Sequence, residues 1–503
     1  MTTEEIDKLH DFYDIEIESA TLKDIYLNRL KITNKIKELG YFRYDTDNGT
    51  SLFVKVENKK ISLTNEDYII DAFEDYIKSL PNKIITKEDN TGNIKDIVIT
   101  PEMLLDKLYK NIKSYFSANL MRLRPDEKII ILDDTPERKY LFFKTRAVYI
   151  DKDGIHTVDY KNLDGYIWDT SVLKYDLLET EHKGDFERFF ENITGNGERK
   201  LALMSMLGYL MHNYYEDDEM AVILTDKTDE IGNATGGTGK GILGQALHNI
   251  LNRDSASSRY VAINGKDIDL SSDTRYALAD ISTCLIHIED IYKGVDFEKL
   301  FNDVSDGATI RKKHQNSIKK KIKMMLSVNH TIKLSDSGSK MRRACIFELE
   351  DYYGAHKRPS EDFEKRFFGS KWDVVDWGTF YYFMCKCVQI YLANGVIKPT
   401  NEEYYKREFM ESVGEEFAYW IDNIIINQIK EEQHYEKKEL FDKFKDAYSV
   451  YNLSQRGFTQ KCRAYFKYKR IPVVEVRNPP KDYFAIYPSK ETQLKAYNQK
   501  GNI

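Results

Sequence analysis

Cysteine is scarce in this chain: five residues among 503, at positions 284, 345, 385, 387 and 462, odd in number and scattered. That excludes a disulfide-built secreted scaffold and suits reduced thiols in the cytoplasm. Cys385 and Cys387 lack a second pair at metal-ligand spacing and lie in an apolar helical stretch, so they read as core. Long hydrophobic runs are missing too. None approaches the roughly 18 residues of a membrane span, so no membrane partner is expected. The opening MTTEEIDKLHDFYD is acidic and polar, without a secretory signal, and a cytoplasmic location follows.

Hydrophobic residues make up 41% of the chain and charged ones 31%, which describes a globular protein with room for two to four domains. Net charge is −7, yet Arg311–Lys323, RKKHQNSIKKKIK, holds seven basic residues and no acid. A second basic segment runs from Arg456 to Arg470. An acidic chain with two local cationic patches suits grip on a polyanion at defined places; solvated basic faces are the plainer alternative.

The organising stretch is Gly232–Leu251, GNATGGTGKGILGQALHNIL, behind the apolar run Ala221–Thr225. A short strand, a glycine-dense turn and a helix opened by Lys240 form the layout of a phosphate-binding loop. Backbone N–H groups of Gly236, Gly237, Thr238, Gly239, Lys240 and Gly241 would converge on the anion, the helix N-terminus adding its partial positive charge. Against G-x-x-x-x-G-K-[ST], Ala234 stands for the first glycine and Gly241 for the hydroxyl residue that ligates Mg²⁺. A flexible turn before a helix is the alternative reading.

Downstream apolar runs at 259–263, 284–288, 324–328 and 344–349, separated by helical or charged segments, predict a doubly wound parallel sheet. One run ends in Glu289-Asp290, assigned to metal and to the attacking water respectively. KMMLSVNHTI ends in Asn329, an amide able to sense the γ-phosphate, and Arg342-Arg343 precede the last run as a candidate arginine finger.

The series GGTGKG, LIHIED, SDGATIRKKHQNSIKKKIKMMLSVNH and RRACIFEL resembles the helicase core of superfamily 3, the phage, plasmid and poxvirus primase-helicase branch of the AAA+ ATPases. The likeness is strongest over residues 180–355. It implies that Lys240, Glu289, Asp290 and Asn329 match the Walker A lysine, the Walker B acids and the sensor asparagine, and that Arg342 or Arg343 is the finger reaching a neighbouring subunit. It implies ATP and Mg²⁺ as cofactors, a hexameric ring, and a channel hairpin in which Lys312, Lys313, His314, Lys319, Lys320 and Lys321 track a nucleic-acid backbone. Because Gly241 carries no hydroxyl, the metal is left to Glu289, water or Thr238.

Elsewhere the sequence predicts an α/β region over 1–175, read as helix over 4–39, strands within 40–64, helices at 66–80 and 101–115, and strands within 128–150. The pairs Asp45/Asp47 and Asp133/Asp134 read as turns, and no intact primase site is visible. A helical collar is expected over 176–215, the ATPase core over 216–355 and a helical lid over 356–430. A winged helix over 431–490 would offer Lys461, Arg463, Lys467 and Lys469 to DNA, before a disordered tail at 491–503.

The expectation is thus an α/β AAA+ helicase of phage or mobile-element replication, acting on single-stranded and forked DNA with partners such as a primase or polymerase, in the host cytoplasm if phage-encoded. The alternatives are a DNA-binding initiator or remodelling ATPase without processive unwinding, and a weakly catalytic nucleotide-binding scaffold.

Overall fold

The computed structural model describes residues 5, 8–45, 51–116, 122–216, 219–227, 236–252, 258–292, 295, 297–311, 317–330, 343–425, 433–448, 452–478 and 480–491. It is a mixed α/β structure. The first departure from expectation is at the start, where 4–39 is not one helix. Strands Tyr13–Glu18 and Thr21–Leu27 form an antiparallel hairpin before helix Arg29–Glu38. In DIEIE the isoleucines alternate with acids, a period of two, and Ser19 and Ala20 turn the chain at φ 49° and 55°. Asn28 then caps the helix, its side chain accepting from the amides of Leu30 and Lys31.

Strands Tyr41–Asp45, Ser51–Glu57 and Lys60–Thr64 form a meander with the short strand Ile167–Trp168 at its edge. Helices Glu66–Lys78 and Pro101–Lys110 cover a core around Phe12, Phe73 and Phe116. A three-stranded antiparallel sheet at 139–158 sends Leu141, Phe143, Val148 and Ile150 into the core of the remainder.

That remainder begins with helices α1 (Asp185–Thr194) and α2 (Gly197–Met211). Strand β1 (Ala221–Asp226), helix α3 (Lys240–Leu251), and strands β2 (Tyr260–Asn264) and β3 (Leu285–Ile291) follow. Helix α4 (Phe297–Asp306) leads to the hairpin β4 (Ala308–Ile310) and β5 (Ile318–Lys320), then β6 (Lys323–Val328), β7 (Ala344–Leu349) and the long helix α5 (Val374–Asn394). The five long strands form one parallel sheet in the order β2-β3-β6-β1-β7. Its side chains alternate between two cores. Val222, Leu224, Met325 and Phe347 face α1, α2, α3 and α5, whereas Ala221, Ile223, Leu326 and Ile346 face α4. Neither neighbour of β1 follows it in sequence, so its carboxyl end opens at a topological switch point, where open α/β sheets bind ligands.

The C-terminal part carries α6 (Glu402–Val413), α7 (Glu415–Ile424), β8 (Gln433–Glu436), α8 (Lys437–Ala447), α9 (Gln455–Tyr468), β9 (Val473–Asn478) and β10 (Lys481–Ile486). Its strands pair antiparallel in the order β8-β10-β9 around Phe417, Phe444, Phe458 and Tyr465. Among the described residues no helix is long and apolar enough to cross a membrane. All five cysteines are buried and free.

Helices α2 and α5 press together at Gly208, where a Cβ would lie 2.2 Å from the Cys387 carbonyl oxygen and 2.7 Å from Tyr391 Cβ. Gly208→Ala is expected to lower the unfolding free energy by about 2 kcal/mol or more, because the obstruction is backbone that cannot swing away. An unchanged denaturant midpoint would contradict this packing.

Candidate functional site

The carboxyl ends of β1, β3 and β6 open on a cavity of about 580 Å³ lined by Gly236–Gly241, Ile242, Gln245, His287, Glu289, Asp290, Ser327, Asn329 and Pro359. The expected loop residues therefore meet the two acids and the asparagine in one place. Ala234 lies outside the described residues, as does Arg342.

Gly236, Gly237 and Gly239 take φ of 62°, 73° and 124°, which only glycine adopts without strain. Gly239 is doubly constrained, since a Cβ there would sit 2.7 Å from Phe189 Cζ on α1. At the base of the loop, Asp226 ends β1 with 1% of its surface exposed. It accepts the Thr238 hydroxyl and pairs with the Lys240 ammonium. Burial pushes the Lys240 ammonium below the usual lysine range, against the pull of Asp226. Gly241 has open space where a Cβ would project, so sterics do not exclude a hydroxyl side chain there.

Two successive residues of a regular strand point to opposite faces, yet Glu289 and Asp290 both line the cavity. A bulge reconciles the two facts. Ile288 pairs with Leu326 and Ile291 with Val328, so the two acids oppose the single residue Ser327. Asp290 takes φ 52°, the left-handed region. The Asn329 amide donates to Asp290 Oδ1 at 3.2 Å, and Lys266 Nζ lies 3.8 Å from its other oxygen. Burial, and then the neighbouring Asp290, raise the Glu289 carboxyl above its ordinary range.

The sequence reading missed His287. This fully buried imidazole lies 2.7 Å from the Tyr260 hydroxyl through Nδ1 and 2.7 Å from the Ser327 hydroxyl through Nε2. Nδ1 is also 3.4 Å from Glu289 Oε1. Burial pushes the imidazole down to about 3, so it is neutral and the contact with Glu289 is no ion pair. Gly244 on α3 makes the room: a Cβ there would come 2.9 Å from the ring. The available signal was a histidine and a serine interrupting the apolar runs LIHI and MMLSV.

Arg343 lies at the other pole of the sheet. Its carbonyl accepts from Ala221 N at the amino end of β1, and its guanidinium donates to Asn302 on α4 at 3.3 Å. Six residues of β7 rise roughly 20 Å, too far for this arginine to reach the loop of its own chain.

The basic hairpin shares that pole. Lys312, Lys313 and His314 lie outside the described residues. Lys320 Nζ donates to the carbonyls of Ile281 and Thr283 at 2.6 and 2.8 Å, and Lys321 Nζ to that of Glu216 at 3.1 Å. Buried Lys323 donates to the carbonyls of Tyr209 and His212 at 2.9 and 2.6 Å. Three lysines thus fasten the root of the hairpin to protein carbonyls, and Lys319 faces solvent.

On α9, Arg463 forks onto Glu475 at 2.5 and 2.8 Å, with Lys437 on the same carboxylate at 2.6 Å. Lys461 donates to the Val413 carbonyl, Lys469 lies 3.5 Å from Asp422, and Lys467 is exposed. In the N-terminal part, Asp134 is buried against Lys139 at 2.8 Å and accepts from two backbone amides, a structural role. Asp45 accepts from Ser51 and Arg43, and Asp47 lies outside the described residues. Among the described residues no three His, Cys, Asp or Glu side chains gather to hold a metal.

No protein-family model matches the chain, and no curated protein matches it. Among solved structures, the A form apo structure of the NrS-1 C terminal region is similar at a TM-score of 0.37 and 14% identity, over 81% of this chain and 94% of that one. An A form apo structure of the same region, spanning 305–718, gives 0.36 and 13%, over 80% and 96%. The chemistry of the site stands on its own geometry.

Lys323 offers a check through pH. Burial pushes its ammonium from 10.5 down to about 8, so between those values the unfolded chain holds a proton that the folded chain has released. Stability then rises with pH across that window. The unfolding free energy of the wild type minus that of Lys323→Met should climb by up to about 3 kcal/mol from pH 8 to 10.5. A flat difference would place this ammonium in water instead.

Proposed function

We propose that the chain is an ATP-dependent, ring-forming AAA+ helicase that moves along single-stranded DNA in phage or mobile-element replication. One observation carries the reading: the positive-φ glycine loop with Lys240, the bulged pair Glu289-Asp290 and Asn329 meet around one cavity at the switch point of a parallel sheet.

These residues fit a nucleotide and Mg²⁺. Glycines at positive φ leave loop amides free to face an anion, and a site with two carboxylates and no protein cage suits Mg²⁺, which keeps waters and shares phosphate oxygens. When bound, the metal neutralises phosphate charge. Glu289 would hold it, and Thr238 would join only by giving up Asp226. Lys240 exchanges Asp226 for phosphate oxygens, so charge is handed over within the site rather than brought from water. Asp290, aimed by the bulge and steadied by Asn329, orients the attacking water. Arg342 or Arg343 serves a neighbouring copy, which the position of Arg343 far from its own loop supports. The helices and hairpin of the C-terminal part then form a winged helix, and a hexamer would set the basic hairpins around the strand.

A second reading is a nucleotide-hydrolysing initiator or remodeller on DNA without processive unwinding. It is favoured by the ion pairs and carbonyls that engage Lys320, Lys321, Lys461 and Arg463. A forked substrate separates the two, since only the first reading displaces a strand.

Lys240→Ala should reduce ATP turnover at least a hundredfold; turnover near the wild-type rate would remove the site. Lys319→Glu should weaken single-stranded DNA binding about threefold and lower the slope of log affinity against log salt by about 1. An unaltered salt slope would take Lys319 off the nucleic acid.

A further inference from the structure

A cavity of about 560 Å³ is built from the first 175 residues alone and shares no lining residue with the glycine loop. Its floor is one face of the meander. Lys55 opposes Ser62 and Glu57 opposes Lys60 across the paired strands, so these four side chains stand together, while Val54 and Ile61 turn the other way into an apolar core. Asn58 and Lys59 hold φ of 51° and 64°, the two-residue turn that ends this floor. The other wall comes from the chain around the three-stranded sheet, at Thr145, Asp159, Tyr160, Lys161 and Asp169.

The two walls are joined and braced. The Lys60 ammonium stands 3.9 Å from the centroid of the Tyr160 ring, whose hydroxyl donates to the Phe143 carbonyl. Thr145 is anchored on Asp176, to which its amide and its hydroxyl donate at 2.8 and 3.0 Å. Asp169 Oδ1 accepts from the Thr170 amide at 2.7 Å. Three lysines and three carboxylates line the space, yet only Lys55 and Glu57 come within ion-pair distance of each other, at 3.8 Å. Lys60, Lys161 and Asp159 enter no ion pair among the described residues.

The two signs are therefore held apart, and a ligand must answer both. A bare anion would use the lysines and be repelled by the acids, and a metal ion the reverse. A flat ring finds no face to stack on, because Lys60 covers Tyr160 and only 7% of that residue is exposed. An amino acid carries its charges side by side, closer together than the free groups here. A ribose phosphate matches the lining. Its phosphate oxygens accept from ammonium groups, and its hydroxyls, several bonds away, donate to carboxylates, as a ribose 2′-hydroxyl does to an acid in dinucleotide sites.

We propose that this cavity holds a ribose phosphate, its phosphate on Lys60 and Lys161 and its vicinal hydroxyls on Asp159 and Asp169. The chemistry is shared by a free sugar phosphate and by a ribonucleotide within an RNA strand. The full chain is titrated calorimetrically with ribose 5-phosphate and 2-deoxyribose 5-phosphate, and by fluorescence anisotropy with labelled oligouridylate and oligodeoxyuridylate. Within each pair the ribose form should bind about tenfold more tightly, the worth of one hydroxyl on a carboxylate. The double variant Asp159→Asn, Asp169→Asn should cut that preference to about twofold or less without weakening the deoxy form, a result that misfolding cannot produce. Lys60→Gln should weaken both members of a pair about fivefold. A preference shown by the oligonucleotides assigns the cavity to RNA, and one confined to the monosaccharides assigns it to a free sugar phosphate. Equal affinities within both pairs, a preference that survives the double variant, or no binding of either sugar phosphate or of oligouridylate overturns the proposal.

Discussion

A carboxylate with no access to water sits at the carboxyl end of β1, and the loop above it is organised by that fact. Buried there, Asp226 gathers the Lys240 ammonium and the Thr238 hydroxyl. The two contacts fix both sides of Gly239, and the three positive-φ glycines let the backbone follow. A lysine drawn inward in this way is already largely dehydrated, so its principal competitor for any anion would be one carboxylate rather than bulk solvent. Thr238, Lys240 and Asp226 behave as one unit in which a change to any member is felt by the other two.

The second constraint is the bulge that turns both acids into one cavity. It relies on its neighbours: Gly265 follows β2 so closely that a Cβ would lie 2.6 Å from the Glu289 carbonyl oxygen, while Asn329 reaches Asp290 from β6. The buried imidazole of His287 ties Tyr260 on β2 to Ser327 on β6 directly beneath Glu289. A polar cluster of this kind inside an apolar sheet is tolerated because its groups find partners, and it joins three strands at the level of the carboxylates.

The parallel sheet and the loop were legible because both announce themselves locally: buried strands read as unbroken apolar runs, and a phosphate loop needs glycines beside a lysine. Within the expected helix over 4–39, Arg29–Glu38 is helical but residues 13–27 are a hairpin, which is not legible because the short turn at Ser19-Ala20 carries neither glycine nor asparagine, the usual signals. Strand β8 is hidden for a similar reason, being four residues long and mostly polar. The bulge depends on which residues β6 and β2 present, a matter of pairing across the sheet that local pattern cannot show. The lysines are the sharpest case. A basic run looks alike whether its ammonium groups face water or backbone carbonyls, and here Lys320, Lys321 and Lys323 took the second course.

Strand β6 begins at a lysine fastened to α2 and ends beside the asparagine that touches Asp290. Every residue of it is buried, and it is laced to β3 on one side and β1 on the other, so it can neither bow nor slip by a fraction of a register. Such a strand behaves as a stiff spoke. Asn329 and Lys323 are therefore held at a fixed separation by one element, and neither pole of the sheet can shift against the other along this line without breaking the pairing on both sides.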